Sequence, residues 1–325
     1  MSKLDSQLVS LLASLQVLGN TDLSSVGVES ARASIELMAR LQPKDNTPLD
    51  RVDDRTIKGK FREIPIRIYW PVAPSECVGV TVFYHGGGFV LGSIESHDQL
   101  ARSLAKHSKS VVVSVEYALA PENKFPAAVE DAYEALAYAS HNRSNLCPNH
   151  LLSKVPLAVA GDSAGGNLAA VVSYLARGEA EEVDFALLAY PVTDGLHQEN
   201  FPSYEENSEG YFLTAKDMRW FGELYLRDEN DLLDPRFSIL LANDLSNMPK
   251  TLIVVAGYDP LRDQGVALAQ ALEDAGNKVN LWRYDTMIHG FFSMEGLVEE
   301  ARKAVERAGH LLGEVLVEAR FSKNY

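Results

Sequence analysis

The chain is predicted to fold as an α/β protein, a mostly parallel central sheet flanked by helices, with a lid. Three observations predict it. Short apolar runs, each suited to a buried strand, alternate with helix-like stretches over most of the chain. Gly161-Asp162-Ser163-Ala164-Gly165-Gly166 joins one such run to a helix rich in small and apolar residues, a strand–turn–helix junction. A polar, aromatic stretch from about Asp194 to Asp234 then interrupts the alternation. With 325 residues, 46% of them hydrophobic and 9% aromatic, the chain can bury a large core in one such unit plus a lid.

The elements follow in order. Leu4, Leu8, Leu11, Leu12, Leu15 and Leu18 recur at helical spacing with Asp5, Ser6, Gln7, Ser10, Ser14 and Gln16 between them, an amphipathic helix. Ser30–Leu41 is a second, ended by Gln42-Pro43. Arg62–Trp70 places Ile64, Ile66, Ile68 and Trp70 on one face, an early antiparallel strand. Strands at Val78–Tyr84 and Val111–Val115 precede a helix near Pro126–His141. Leu157–Ala160 leads into the junction, with a helix over Asn167–Leu175, and Phe185–Tyr190 is the next strand. Beyond the interruption, Thr251–Ala256 is a strand and a helix runs from Pro260 to Ala275 with Gly276 as its stop; Val279–Tyr284 is the last strand. The expected division is 1–50 for N-terminal cap helices, 51–193 for the first part of the core, 194–234 for a cap insertion and 235–325 for the rest of the core.

The junction fits the nucleophile-elbow pattern G-x-S-x-G, which makes Ser163 the candidate nucleophile. A serine at such a turn adopts strained backbone angles, and flanking glycines remove the Cβ atoms that would collide. A plain glycine-rich turn is the alternative. The strand Val78–Tyr84 runs into His85-Gly86-Gly87-Gly88-Phe89, whose bare amides can converge on one spot. Acyl transfer needs such donors where the carbonyl oxygen becomes negative. Gly87 and Gly88 with Ala164, the residue after the nucleophile, are the expected donors, and Gly86 serves the turn. A phosphate-cradling loop would need a following Lys-Ser/Thr pair or a spaced G-x-G-x-x-G, and neither is present.

A serine needs a base and the base an orienting acid, in the chain order Ser, Asp or Glu, His. Three histidines follow Ser163: His197 in a polar loop, His310 in a charged helical stretch, and His289 just past a strand. A loop at the carboxyl end of a strand is where an open sheet places its site, so His289 is the expected base. Asp259 ends the strand Thr251–Ala256 and is the expected acid, although it could merely cap the next helix. Asp194 is the serious rival, and Asp263 reads as a partner of Arg262 or as exposed.

Taken together, HGGGF, GDSAGG, DPLRD and IHGF, in this order, resemble the bacterial hormone-sensitive-lipase-like (family IV) carboxylesterases. The stretches Glu116–Glu122 and Phe125–Ala132 fit as well, and the similarity spans roughly residues 60 to 310, in the GDSAGG branch that includes acetyl esterases. The resemblance implies an α/β-hydrolase fold with a helical cap and hydrolysis of short-chain acyl esters without cofactor or metal. It also implies Ser163, Asp259 and His289 as the triad, with Gly87, Gly88 and Ala164 as the oxyanion hole. Ala118 departs from the family, which usually has a basic or polar residue there. Phe89, beside the glycine loop, and Phe212, in the insertion, are expected to touch substrate or simply to pack. An amidase or lactonase would use the same groups, and a non-catalytic small-molecule receptor on the same scaffold is a further alternative.

A formal net charge of −15 argues against nucleic acid and against an anionic membrane. A small-molecule ester is the expected partner, and a homodimer is left open. Two cysteines, Cys77 and Cys147, allow at most one bridge and fit a reducing cytoplasm. The N-terminal leucines form no continuous apolar stretch of the kind a signal peptide needs, and no segment reaches the length of a membrane span.

Overall fold

The computed structural model describes residues 3–17, 23–44, 48–149 and 154–320. Eight strands form one sheet: β1 (Arg51–Lys58), β2 (Glu63–Trp70), β3 (Val80–Tyr84), β4 (Val111–Val115), β5 (Leu157–Asp162), β6 (Phe185–Ala189), β7 (Lys250–Tyr258) and β8 (Val279–Ile288). Their order is β1-β2-β4-β3-β5-β6-β7-β8. The pairs β1/β2 and β2/β4 are antiparallel; all others are parallel. The helices are α1 (Ser6–Val17), α2 (Val28–Leu41), α3 (Asp98–Ser108), α4 (Ala127–Leu146), α5 (Ala164–Leu175), α6 (Pro202–Glu206), α7 (Ala215–Tyr225), α8 (Arg262–Asp274) and α9 (Glu299–Ala319). Leu18, expected to continue the first helix, lies outside the described residues.

Strands β3 to β6 are buried along their whole length, because helices cover both faces. Val82, Val113 and Leu188 face α4, α5 and α8; Phe83, Val112 and Leu187 face α3 and α9. That explains why these strands read as unbroken apolar runs. β2 instead alternates, with Ile64, Ile66 and Ile68 buried as its pattern predicts. β1 was not predicted. Its sequence, RVDDRTIK, is mostly charged because it lies at the sheet's edge, with Ile57 as its one buried side chain, paired in register with Ile64.

The topology fixes where chemistry can happen. β3 lies between β4 and β5, so the connections leaving β3 and β5 run to opposite sides. A crevice opens beyond their carboxyl ends, the switch point at which open α/β sheets bind ligands. His85 and the glycine loop follow β3 directly, and Ser163 follows β5. Residues 194–234 hold α6 and α7 with short 3₁₀ turns at Gln198–Asn200 and Glu229–Leu233. Near the amino terminus, α2 is tied to the loops after β3 and β4: the Arg32 guanidinium donates from Nε to Val90 O, from Nη2 to Ala120 O, and to the Glu122 carboxylate, all at 2.8 Å. No helix among the described residues is long and apolar enough to cross a membrane.

Candidate active site

Ser163 sits at φ +53°, ψ −118°, between the end of β5 and the start of α5. Few side chains tolerate that conformation, and here neighbours enforce it: Ser163 N–H donates to Ala189 O at 2.8 Å, and Asn167 N–H donates to Ser163 O at 3.0 Å. A Cβ at Gly165 would overlap the Tyr84 carbonyl, so only glycine lets α5 lie directly against β3. That packing aims the serine hydroxyl into the crevice. Phe89 (φ +62°) and Tyr190 (φ +38°) are also left-handed, so three strained non-glycine residues ring the site.

His289 follows β8, and Asp259 follows β7, where a register shift between Ala256 and Tyr258 re-aims the strand end. His289 Nδ1 lies 2.8 Å from Asp259 Oδ2, and Nε2 lies 2.8 Å from Ser163 Oγ. A carboxylate can only accept, so the proton resides on Nδ1 and the Nε2 lone pair faces the serine hydroxyl, which donates to it. Asp259 is fully buried. Its Oδ1 accepts from Leu261 N–H at 2.8 Å, so it also shapes the turn ahead of α8, which begins at Arg262 rather than at Pro260. Orienting acid and local turn former, the two alternatives for this residue, are thus combined in one side chain. The Tyr190 ring packs 4.8 Å from the imidazole and fixes its other face.

The rival groups are engaged elsewhere. Asp194 pairs with His197 Nδ1 at 3.0 Å and accepts from the Leu196 and His197 amides. Asp263 pairs with Arg262, as expected, and His310 is exposed on α9 beside His107.

The loop after β3 is held by groups that the sequence reading missed. Gly86 N–H donates to Asp162 Oδ1 at 2.9 Å, which leaves Gly86 to the turn. Gly87 and Gly88 adopt φ +123° and +61° and line the crevice with Ser163. Ala164 opens α5, where a first-turn N–H has no partner within the helix. Burial opposes charge on Asp162, but His97, 3.5 Å away, together with its hydrogen bond and the Gly86 amide, holds this carboxyl below its ordinary range. Burial drives His85 down to about 3, helped by the neighbouring His97, so it is neutral and its Nδ1–H donates to Gly86 O at 2.8 Å. Its ring stacks on Tyr117, 4.3 Å between centres, and the Tyr117 hydroxyl donates to His85 O at 2.7 Å. The aspartate inside G-D-S was visible in the sequence. Its partner His97 carried no signal, being separated from it by 65 positions.

Two connected hollows reach Ser163. One, about 110 Å³, is lined by His289, Gly87, Gly88, Met38 and Phe212; the other, about 80 Å³, by Ala164, Phe89, Met218, Tyr225 and Phe237. Phe89 and Phe212 therefore both line the crevice, and Phe89 also stacks on Tyr225 with ring centres 4.1 Å apart.

A buried acid, an imidazole and a strained serine beyond parallel strands define an α/β-hydrolase type of site. A family model described as alpha/beta hydrolase fold matches residues 81–293. The chain belongs to that family, on its hormone-sensitive-lipase-like side. It is 39% identical to the carboxylic ester hydrolase LipN of Mycobacterium tuberculosis, over 90% of this chain and 77% of LipN. It is 38% identical to an arylesterase of Saccharolobus solfataricus, over 86% of this chain and 88% of that protein. Among solved structures, the ester hydrolase EH1AB1 from the metagenome of Lake Arreo, in complex with a bipyridine phosphonate derivative, superposes with a TM-score of 0.88 at 36% identity. That match covers 96% of this chain and 98% of EH1AB1.

Proposed function

We propose that the protein is a serine carboxylesterase that cleaves short-chain acyl esters through an acyl-enzyme, with Ser163 as nucleophile, His289 as base and Asp259 as orienting acid. One observation carries this: the unbroken chain Asp259–His289–Ser163, two contacts of 2.8 Å ending on a serine at a strained turn. As Ser163 Oγ attacks the ester carbonyl, its proton passes to His289 Nε2. Asp259 holds the imidazole by Nδ1–H and stabilises its charged form. The amides of Gly87, Gly88 and Ala164 receive the negative oxygen. His289 then gives its proton to the departing alcohol, and water cleaves the acyl-enzyme by the same route.

Residues 1–50 and 194–234 act as a cap over the core formed by 51–193 and 235–325. In support, Leu23, Ile35, Met38 and Ala39 from the first segment and Phe212, Leu213 and Phe221 from the second wall the hollow beside His289. Walls of that kind exclude water from the reacting groups. Phe89 and Phe212 contact substrate. Cytoplasmic residence is supported by the two buried free thiols, Cys77 and Cys147. A homodimer is supported by β8, which ends the sheet and offers Val279–Asp285 as an edge for pairing, Thr286 O being taken by Asp5 N–H at 3.1 Å.

Replacing Ser163 with Ala tests the assignment. Turnover of p-nitrophenyl acetate should drop by about 10⁶-fold, the scale for losing such a nucleophile, with the fold intact by circular dichroism. A variant that keeps a tenth of wild-type turnover would refute it.

A further inference from the structure

Among the described residues, four line both hollows: Ser163, Gly88, Leu213 and Phe221. Two of these are the reacting serine and a backbone that binds the oxyanion. The other two are the only side chains standing between the compartments. Chemistry assigns the sides, given the esterase reading on which this inference rests. The leaving alcohol takes its proton from His289 and so departs through the hollow that His289 lines. The acyl group stays on Ser163 and occupies the other, beside Ala164. At about 80 Å³ that hollow is the smaller of the two, against about 110 Å³ on the side of His289.

We propose that Phe221 is a specificity-determining residue: its ring divides the acyl compartment from the alcohol compartment and limits the acyl group to small, unbranched chains. The ring lies so close to Gly88 that a Cβ there would overlap it. It therefore borders the position of the acyl carbon next to the reacting carbonyl, where branching would meet it first.

The divider is held rigidly. Thr214 Oγ1 accepts from Asp217 N–H at 3.0 Å in a reciprocal cap at the start of α7, and buried Asp217 in turn accepts from Ser24 N–H at 3.1 Å. At the other end, Lys124 Nζ donates to Glu223 O at 3.1 Å and Leu226 O at 2.6 Å, and Phe125 N–H donates to Tyr225 O at 2.8 Å. A helix anchored at both ends cannot swing the ring aside at little cost. Leu213 and Met218 belong to the small apolar cluster against which Phe221 packs.

The test compares kcat/KM for p-nitrophenyl isobutyrate, octanoate and acetate in wild type, Phe221→Leu and Phe221→Ala. The expected result is a rise of at least tenfold in both the isobutyrate/acetate and octanoate/acetate ratios for Phe221→Ala, with Phe221→Leu between. A merely structural role would lower all three substrates together and leave the ratios within twofold of wild type, which overturns the proposal. If Phe221→Ala fails to fold, Phe221→Leu decides on the same two ratios. Absence of any turnover by folded wild type is a different failure, since it removes the esterase reading itself.

Discussion

The floor and the roof of the crevice are built on opposite principles. Beneath Ser163, β3, β5 and β6 are buried end to end, and α5 approaches β3 so closely that Gly165 has no room for a Cβ. In the amino-terminal segment that we propose as part of the roof, α1 and α2 bury little: Leu8 in the first and Ala31 in the second are their fully buried side chains. α2 adds polar links from Arg32 to Val90, Ala120 and Glu122 to the packing of Val28, Ala31 and Ile35. Reacting atoms need positions good to a fraction of an ångström, which close packing supplies. A cap needs only to shape space and exclude water, and the fewer buried contacts of α1 and α2 make local opening of that part easier, while α7 stays anchored at both ends. Floor residues should therefore govern the rate of chemistry, and roof residues the choice of substrate.

The largest effect expected short of losing the nucleophile separates two aspartates at strand ends. Asp259→Asn should lower kcat/KM about 10⁴-fold, or ~5 kcal/mol of transition-state stabilisation, because the amide favours the wrong imidazole tautomer. Asp194→Asn, whose partner is His197, should change kcat/KM little. Steady-state kinetics on both variants checks this, and the reverse order would move the acid to the other strand. Next comes the divider Phe221, where the substrate ratios should move more than the acetate rate itself.

The smallest effect lies in the roof. Arg32 holds the Glu122 carboxyl down to about 2 through its hydrogen bonds, against about 4.3 for an unperturbed glutamate. A depressed carboxyl contributes stability above its unfolded value and loses it as pH falls toward its folded value. Because Glu122 is largely exposed, solvent screening limits the contribution to about 0.2–1 kcal/mol. Glu122→Gln should thus lower stability by that amount at pH 7, with the gap narrowing below pH 4. Denaturant melts of both proteins at pH 7, 4 and 3 measure it; a gap that widens in acid contradicts the linkage.

Floor and roof also differed in how much the sequence revealed. Strands buried on both faces are continuous apolar runs, so β3 to β7 and the residues at their ends could be located from the chain alone. Ser163 and Asp259 lie just past such runs, whereas His289 follows β8, an edge strand that is mostly half-exposed and runs four residues beyond the expected Val279–Tyr284. β1 could not be, because an edge strand has no buried face to impose a pattern. His97 was invisible for a different reason: it meets Asp162 only after the sheet has formed. Phe221 read as one aromatic among several in the insertion, since the sequence there does not encode which ring lands on Gly88. α8 started two residues late because Asp259 spends one oxygen on the turn and the other on His289, a division no propensity reveals.

The most direct test of the central claim, that Ser163 is activated by His289 and Asp259, is covalent capture with a fluorophosphonate. Phosphonate binding by the related EH1AB1 motivates the reagent. Intact-mass and peptide mass spectrometry should find one phosphonyl group per chain, on Ser163 Oγ, with fluoride released, and no label on folded Ser163→Ala. A folded wild-type protein that takes no label, or takes it equally in the Ser163→Ala variant, would contradict the account.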